Sequence, residues 1–266
     1  MRLQYLEPDL IIYSALINTC GKGKQWDRAL DMLALMGDRE LLANLISFNV
    51  AISACSNGEQ WERALRMLLT MQENRLEPNV ISFSAAISAC SKAKQGEPAL
   101  GMLAEMKKQV VEPDVMSFSA ATSACEREGL WELAVGMLSE MHKQGLEADV
   151  FSHSSAISAC SKGDRWQLAL GMLAKMNYHH LKPNVISYSA AICTCEKRGQ
   201  WEMALEMLEI MDKERLEANV ISCSTAISAC EKSEQWERAM WMLANMREQR
   251  LQPNVISYSA AISACE

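Results

Sequence analysis

Apolar residues recur along this chain at helical spacing. Between Val80 and Asp114, the residues Val80, Phe83, Ala86, Ile87 and Cys90 fall mostly three or four apart, and Leu100, Leu103 and Met106 do the same after a short polar link. No strand-like alternation competes, so the spacing predicts two helices of about 11 to 14 residues. The links are polar, as in Lys22-Gly23-Lys24-Gln25 and Arg198-Gly199-Gln200. After the second helix comes Leu-Glu-Pro-Asn or a close variant, with Pro8, Pro78, Pro113, Pro183 and Pro253 each followed by Asn or Asp and then an apolar residue. That reads as a turn ending in the N-cap of the next helix.

The pair of helices repeats. Cys20, Cys55, Cys90, Cys125, Cys160, Cys195, Cys230 and Cys265 recur every 35 residues without a slip, as do a Met column from Met36 to Met246 and a Trp column from Trp26 to Trp236. An unbroken period of this size predicts an all-α solenoid of antiparallel helix-turn-helix units, each burying its apolar face against its neighbours. The units run 10–44, 45–79, 80–114, 115–149, 150–184, 185–219 and 220–254. Residues 1–9 read as the tail of a preceding unit and 255–266 as the first helix of a truncated eighth, so a longer natural array is expected. The Cys, Met and Trp columns are all assigned to core packing. His153 and Cys223 replace the Phe or Tyr of sister units, and Gly96 replaces a Trp, with Pro98 close behind. Losing an indole from a core costs about 3 to 5 kcal/mol, so the third unit is expected to be the softest.

Composition narrows the function classes. With 49% apolar and 22% charged residues the chain can build a core, which excludes wholesale disorder. Its net charge of -7 argues against gripping nucleic acid by bulk positive charge, though not against a basic stripe on one face. Equivalent cysteines in stacked units would lie about 8 to 10 Å apart, beyond disulfide reach, and Cys193 and Cys195 cannot converge on one metal. The thiols read as small hydrophobes in a reducing compartment. No apolar run approaches the roughly 18 residues of a membrane span, and the first ten residues lack signal or transit character. His142, His153, His179 and His180 sit in no metal-ligand or nucleophile motif, and no deaminase signature is present. The reading is a chain without catalysis, cofactor, metal, membrane anchor or small-molecule substrate.

One face of each first helix carries the candidate chemistry. Ile81, Ser84, Ser88 and Lys92 are spaced by three, four and four, forming one stripe. Its top is apolar in every unit: Ile11, Ile46, Ile81, Met116, Phe151, Ile186, Ile221 and Ile256. Below come Ser14, Asn49, Ser84, Ser119, Ser154, Ser189, Ser224 and Ser259, and at the foot stand Lys22, Lys92, Arg127, Lys162, Lys197 and Lys232, with Asn57 in the second unit. A polar floor between an apolar residue and a cation suits a nucleotide in a single strand. The competing explanation is structural: a cation at a helix C-terminus is stabilised by the macrodipole. The acidic residues Asp27, Glu62, Glu97, Glu132, Glu202 and Glu237 fall in the first turn of the second helices, so part of the negative charge lies away from this face.

The units VISFSAAISACSKAKQGEPALGMLAEMKKQVVEPD and VISYSAAICTCEKRGQWEMALEMLEIMDKERLEAN closely resemble the pentatricopeptide repeat family, and the resemblance covers essentially the whole chain. It implies a right-handed superhelix that binds single-stranded RNA at one base per repeat, usually in mitochondria or plastids, together with RNA-processing proteins. In that family the small polar residue of the first helix and the Asn or Asp closing the repeat choose the base. Ser14 with Asn44 then implies A, and Asn49 with Asn79 implies C or U. Ser84 with Asp114 and Ser119 with Asp149 each imply G. Ser154 with Asn184, Ser189 with Asn219 and Ser224 with Asn254 each imply A, giving A-Y-G-G-A-A-A. The Ile/Met/Phe column would wedge between bases and the cations would face phosphates. A protein-binding scaffold is the alternative, distinguished by the steep salt dependence expected of RNA.

Overall fold

The computed structural model of the chain describes residues 10–39, 41 and 43–265. The tail expected over residues 1–9 lies outside them. Fifteen helices are described. The first helices of the units are α1 (Leu10–Lys22), α3 (Leu45–Asn57), α5 (Val80–Lys92), α7 (Val115–Glu128), α9 (Val150–Lys162), α11 (Val185–Lys197), α13 (Val220–Glu231) and α15 (Val255–Ser263). Alternating with them are α2 (Trp26–Asp38), α4 (Trp61–Glu73), α6 (Gly96–Lys108), α8 (Trp131–Lys143), α10 (Trp166–Tyr178), α12 (Trp201–Lys213) and α14 (Trp236–Glu248). The chain is all-α, a solenoid of regular helix pairs. It divides into two compact units, residues 1–128 with 143–146 and residues 129–142 with 147–266.

The same local rule ends both helices of a repeat. The N–H of Gln25 donates to the Cys20 carbonyl, Gln60 to Cys55, Gln95 to Cys90, Arg165 to Cys160, Gln200 to Cys195 and Gln235 to Cys230, all at 2.9 Å. Second helices close identically on the Met column, as in Val111 N–H to the Met106 carbonyl and Leu181 to Met176, each 2.9 Å. These six-residue bonds require a left-handed residue just before the donor. Lys24, Glu59, Lys94, Asp164 and Glu234 supply it after the first helices, and Arg75, Val110, His180, Arg215 and Arg250 after the second. Cys and Met thus hold one register position, with the carbonyl closing the helix and the side chain in the core.

In the first unit α1, α3, α5 and α7 pack on one another in sequence, and in the second α9, α11, α13 and α15 do the same. Within the units, α2, α4, α6, α10, α12 and α14 each pack on their own first helix and on the next one. Ala29, Ala64, Ala99, Ala134, Ala169, Ala204 and Ala239 are fully buried, because only a methyl fits where the second helix meets its first. Burial pushes the thiols of Cys55, Cys90, Cys125, Cys160, Cys223 and Cys230 up to about 11, so they remain protonated hydrophobes near neutral pH.

The Trp column corrects the sequence reading. Trp26, Trp61, Trp131, Trp166 and Trp201 are half-buried and Trp236 is exposed. The indoles are less covered than the core: Trp26 and Trp131 lie on the seam, and Trp201 packs against the core from its edge. A Cβ built on Gly58 would meet Trp26 Cδ1 at 2.2 Å, and one on Gly163 would meet Trp131 Cδ1 at 2.2 Å, so each ring rests on the turn of the following repeat. Arg63 stacks over Trp26 at 5.1 Å and Arg165 over Trp131 at 4.6 Å, shielding the outer face. The position facing the missing indole at Gly96 is Glu128. Its carboxylate accepts from the Gly96 N–H at 2.5 Å, and Gly96 is buried. The carboxylate of Glu128, an exposed residue, thus caps the N-terminus of α6, where negative charge is favoured.

Two measurements check this account. Val110 is a β-branched residue with φ of 58° and 88% exposure, at the turn position where the next repeat carries Gly145. Val110→Gly is expected to raise unfolding free energy by about 1 kcal/mol in a urea titration. Burial holds the His153 imidazole below its ordinary range, opposed by the Asp149 carbonyl and carboxylate. As pH falls through about 6.5 the unfolded chain therefore takes up this proton before the folded one, and stability drops. His153→Phe is expected to flatten that part of the stability–pH curve, measured by denaturation at several pH values.

Candidate nucleic-acid interface

Each repeat closes on an Asn or Asp with extended backbone, and its side chain caps the next first helix. Oδ1 of Asn44, Asn79, Asp114, Asp149, Asn184, Asn219 and Asn254 accepts the N–H of the serine three residues on, at 2.8 to 3.1 Å. That serine also donates its hydroxyl to the same Oδ1, at 3.1 Å for Ser82 on Asn79 and 2.7 Å for Ser117 on Asp114. The shorter bond to aspartate is the charge-assisted one. Oδ1 is thereby committed to the helix, and among the described residues Nδ2 of Asn79, Asn184, Asn219 and Asn254 makes no hydrogen bond.

The sequence reading missed the capped serines. Ser47, Ser82, Ser117, Ser152, Ser187, Ser222 and Ser257 are all fully buried. Their signal is their own 35-residue period, masked by a composition rich in serine. Each of those in Asn- or Asp-capped helices within a unit also meets the polar residue of the preceding stripe. Ser14 and Ser47 lie 3.1 Å apart, Ser84 and Ser117 2.8 Å, and Ser154 and Ser187, Ser189 and Ser222, and Ser224 and Ser257 each 2.7 Å. Asn49 takes part differently, its Oδ1 accepting from Ser82 Oγ at 2.6 Å.

The serine floor is more covered than the stripe pattern predicts. Ser119, Ser154 and Ser224 are buried, Ser14, Ser84 and Ser189 half-buried, and Ser259 exposed. Ser84, Ser154, Ser189 and Ser224 also donate back to the carbonyl four residues earlier, at 2.6 to 2.7 Å. With its proton turned inward, each hydroxyl presents a lone pair as its remaining function. The apolar column is open: Ile11, Ile46, Ile81 and Met116 in the first unit, and Phe151, Ile186, Ile221 and Ile256 in the second, are 53 to 75% exposed. A side chain of this size at the second residue of every first helix is held at the surface in each repeat, beside the capping amide or carboxylate.

The cations serve the array as well as the surface. Lys92 Nζ donates to Asn57 Oδ1 of the preceding repeat at 2.9 Å, and Lys197 Nζ to the Ser161 carbonyl at 2.6 Å, the C-terminal end of α9. Lys232 pairs with Glu196. Lys22, Arg127 and Lys162 are exposed. Burial, with Lys24 and Arg127 nearby, holds the Lys92 ammonium below the usual lysine range against the pull of Glu59. Lys92 and Lys197 thus spend hydrogen bonds on the preceding helix end, as the macrodipole favours.

Among the described residues no group of His, Cys, Asp and Glu is arranged to hold a metal, and no described helix is long and apolar enough to cross a membrane. No curated protein sequence matches the chain. Among solved structures, the maize pentatricopeptide repeat protein PPR10 is similar over 99% of this chain at 18% identity and a TM-score of 0.65. The chain spans 42% of that protein. PPR10 in complex with an 18-nt psaJ RNA element aligns over 99% of this chain and 44% of its own, at 18% identity and a TM-score of 0.60. The PPR domain of Arabidopsis thaliana protein-only RNase P 1, in complex with tRNA, aligns over 64% of this chain and 92% of its own, at 16% identity and a TM-score of 0.55. The pentatricopeptide repeat domain family matches residues 136–198 and 206–266, and the PPR repeat family residues 186–216. The pentacotripeptide-repeat region of PRORP matches residues 7–150, more than half of the chain, and with the helix pairs above this establishes that the chain belongs to the pentatricopeptide repeat family.

Proposed function

We propose that this chain binds single-stranded RNA with about one base per repeat and acts by occupancy or by recruiting RNA-processing proteins, without catalysis of its own, in a mitochondrion or plastid. The repeats run from the first residue of a first helix to the Asn or Asp that closes it, over 10–254. The observation that carries the reading is the open Ile/Met/Phe column beside the capping side chains. Exposed apolar side chains recurring in register with hydrogen-bonding edges suit stacked bases read at their rims. The similar structures that hold an 18-nt RNA element and a tRNA support the ligand class.

The capping geometry supports a rule for the bases. A stripe serine whose proton is turned inward accepts, and a capping Asn whose Oδ1 is occupied donates through Nδ2. Acceptor plus donor complements the N6 amino group and N1 of adenine. With Asp the second group accepts as well, and two acceptors complement the N1 and N2 protons of guanine. Asn49 Oδ1 accepts from the Ser82 hydroxyl and Asn79 Oδ1 from the Ser82 N–H, and the remaining amide protons of the two, one on Asn49 facing Asn79 at 3.5 Å, complement the acceptors of a pyrimidine edge. The proposed target is A-Y-G-G-A-A-A.

Two sets of variants test this by fluorescence anisotropy. Asp114→Asn with Asp149→Asn is expected to exchange a preference for AYGGAAA for one for AYAAAAA, by about tenfold per base in each direction. Ile81→Ala and Ile186→Ala are expected to weaken all RNAs alike, by about 1 to 3 kcal/mol per wedge lost. Binding is expected to weaken with salt by about 0.7 log units per log unit for each phosphate contact. A protein that binds no oligonucleotide of any composition defeats the reading and leaves the groove to a protein partner.

A further inference from the structure

The buried serine at the third position of each capped first helix makes hydrogen bonds beyond those of the cap, and among the described residues no bond of the helix depends on the Ser117 hydroxyl alone. In the third repeat, Ser84 keeps the Val80 carbonyl as an acceptor at 2.7 Å without it, and Asp114 Oδ1 keeps the Ser117 N–H at 2.8 Å. Ser117→Ala leaves each of these groups its other hydrogen bond, whereas Ser82, Ser187 and Ser257 also accept the backbone N–H of Asn79, Asn184 and Asn254 at 3.2 to 3.3 Å, a bond that alanine removes. Yet every first helix from α3 to α15 carries Ser there, fully buried, where the core of the same helices is filled with Ala.

What the hydroxyl does is join two groups of the groove that belong to successive repeats. Ser117 Oγ sits 2.7 Å from Asp114 Oδ1 and 2.8 Å from Ser84 Oγ. In the second unit Ser187 Oγ is 3.0 Å from Asn184 Oδ1 and 2.7 Å from Ser154 Oγ, and Ser222 and Ser257 repeat the arrangement. One hydroxyl has one proton and two lone pairs. Given to Oδ1, that proton holds the carboxamide or carboxylate by two bonds on one oxygen, its own and that of the backbone N–H, so the second atom of the group is aimed away from the helix. The same oxygen lies 2.7 to 2.8 Å from the stripe hydroxyl, whose one proton is shared between it and the carbonyl four residues earlier, and this three-centre contact fixes the separation between the two groups.

We propose that this buried serine is a positioning residue for base selection: it latches the Asn or Asp closing one repeat to the stripe residue of the preceding repeat, setting the two-point pattern offered to a base. The proposal rests on the RNA-reading function above. It makes each base-reading set a triad, such as Ser84, Ser117 and Asp114, of which one member touches no ligand.

The test uses the full chain with Ser117→Ala, and separately Ser187→Ala, measuring affinity for AYGGAAA, AYAGAAA and AYGGGAA alongside thermal melts. Wild type is expected to prefer G to A at the third base and A to G at the fifth, each by about tenfold. Ser117→Ala is expected to reduce the preference at the third base to twofold or less while leaving the fifth intact, and Ser187→Ala to do the reverse. Confinement of the loss to one base is a result that general destabilisation does not produce, and having variants in separate units keeps the test decisive should one fold poorly. If wild type discriminates, and Asp114→Asn alters the third base, but Ser117→Ala leaves it unchanged or lowers affinity for all three RNAs equally, the latch is overturned and the RNA reading stands. A wild type without preference at any base overturns both.

Discussion

The structure depends on satisfying the first N–H groups of helices that start against a neighbour and away from water. Every first helix from α3 onward begins beneath the closing turn of the previous repeat, where an unpaired N–H is costly. The chain answers with one device, an Asn or Asp whose Oδ1 takes the third N–H and the third hydroxyl together. The cap uses one atom of a two-atom head group, and among the described residues Nδ2 of Asn79, Asn184, Asn219 and Asn254 is left without a hydrogen bond. The group left over is the one proposed to read a base, and the choice of Asn or Asp is free to vary because either one caps.

The second constraint is the seam between repeats. Within each unit first helices stack closely through Ala, Cys and Ile, and second helices pack on first helices. The indoles of the Trp column lie along this seam on the following turn, under arginine in two places. The substitution of Gly96 shows how local the constraint is. Losing one ring is answered by one glutamate from the residue that would otherwise face it, and the helix end gains a cap.

The cation column illustrates two uses of one charge. Lys92 and Lys197 donate to the preceding repeat at or beside its helix end, which both neutralises a dipole and holds the ammonium at the rim. Lys232 is offset by Glu196. Electrostatic attraction for a polyanion is therefore weaker than a count of six cations implies, and the open apolar column carries a correspondingly larger share of the proposed contact.

The sequence determined the helix pairs and their ends, because a fixed 35-residue period and a Pro-Asn or Pro-Asp turn are local instructions that each repeat executes on its own. The Cys and Met columns were legible as core for the same reason, and the apolar top of the stripe was legible because its phase on the helix is opposite the packed face. The Trp column was misread, since helical phase places a residue on the packed side without saying whether a neighbour covers it. Glu128 on Gly96, the burial of Ser119, Ser154 and Ser224, and the bridge through Ser117 or Ser187 were decided only by the tertiary structure. Each joins residues about one repeat apart in sequence, and contacts at that separation exist only once two separately folded helix pairs have stacked in register.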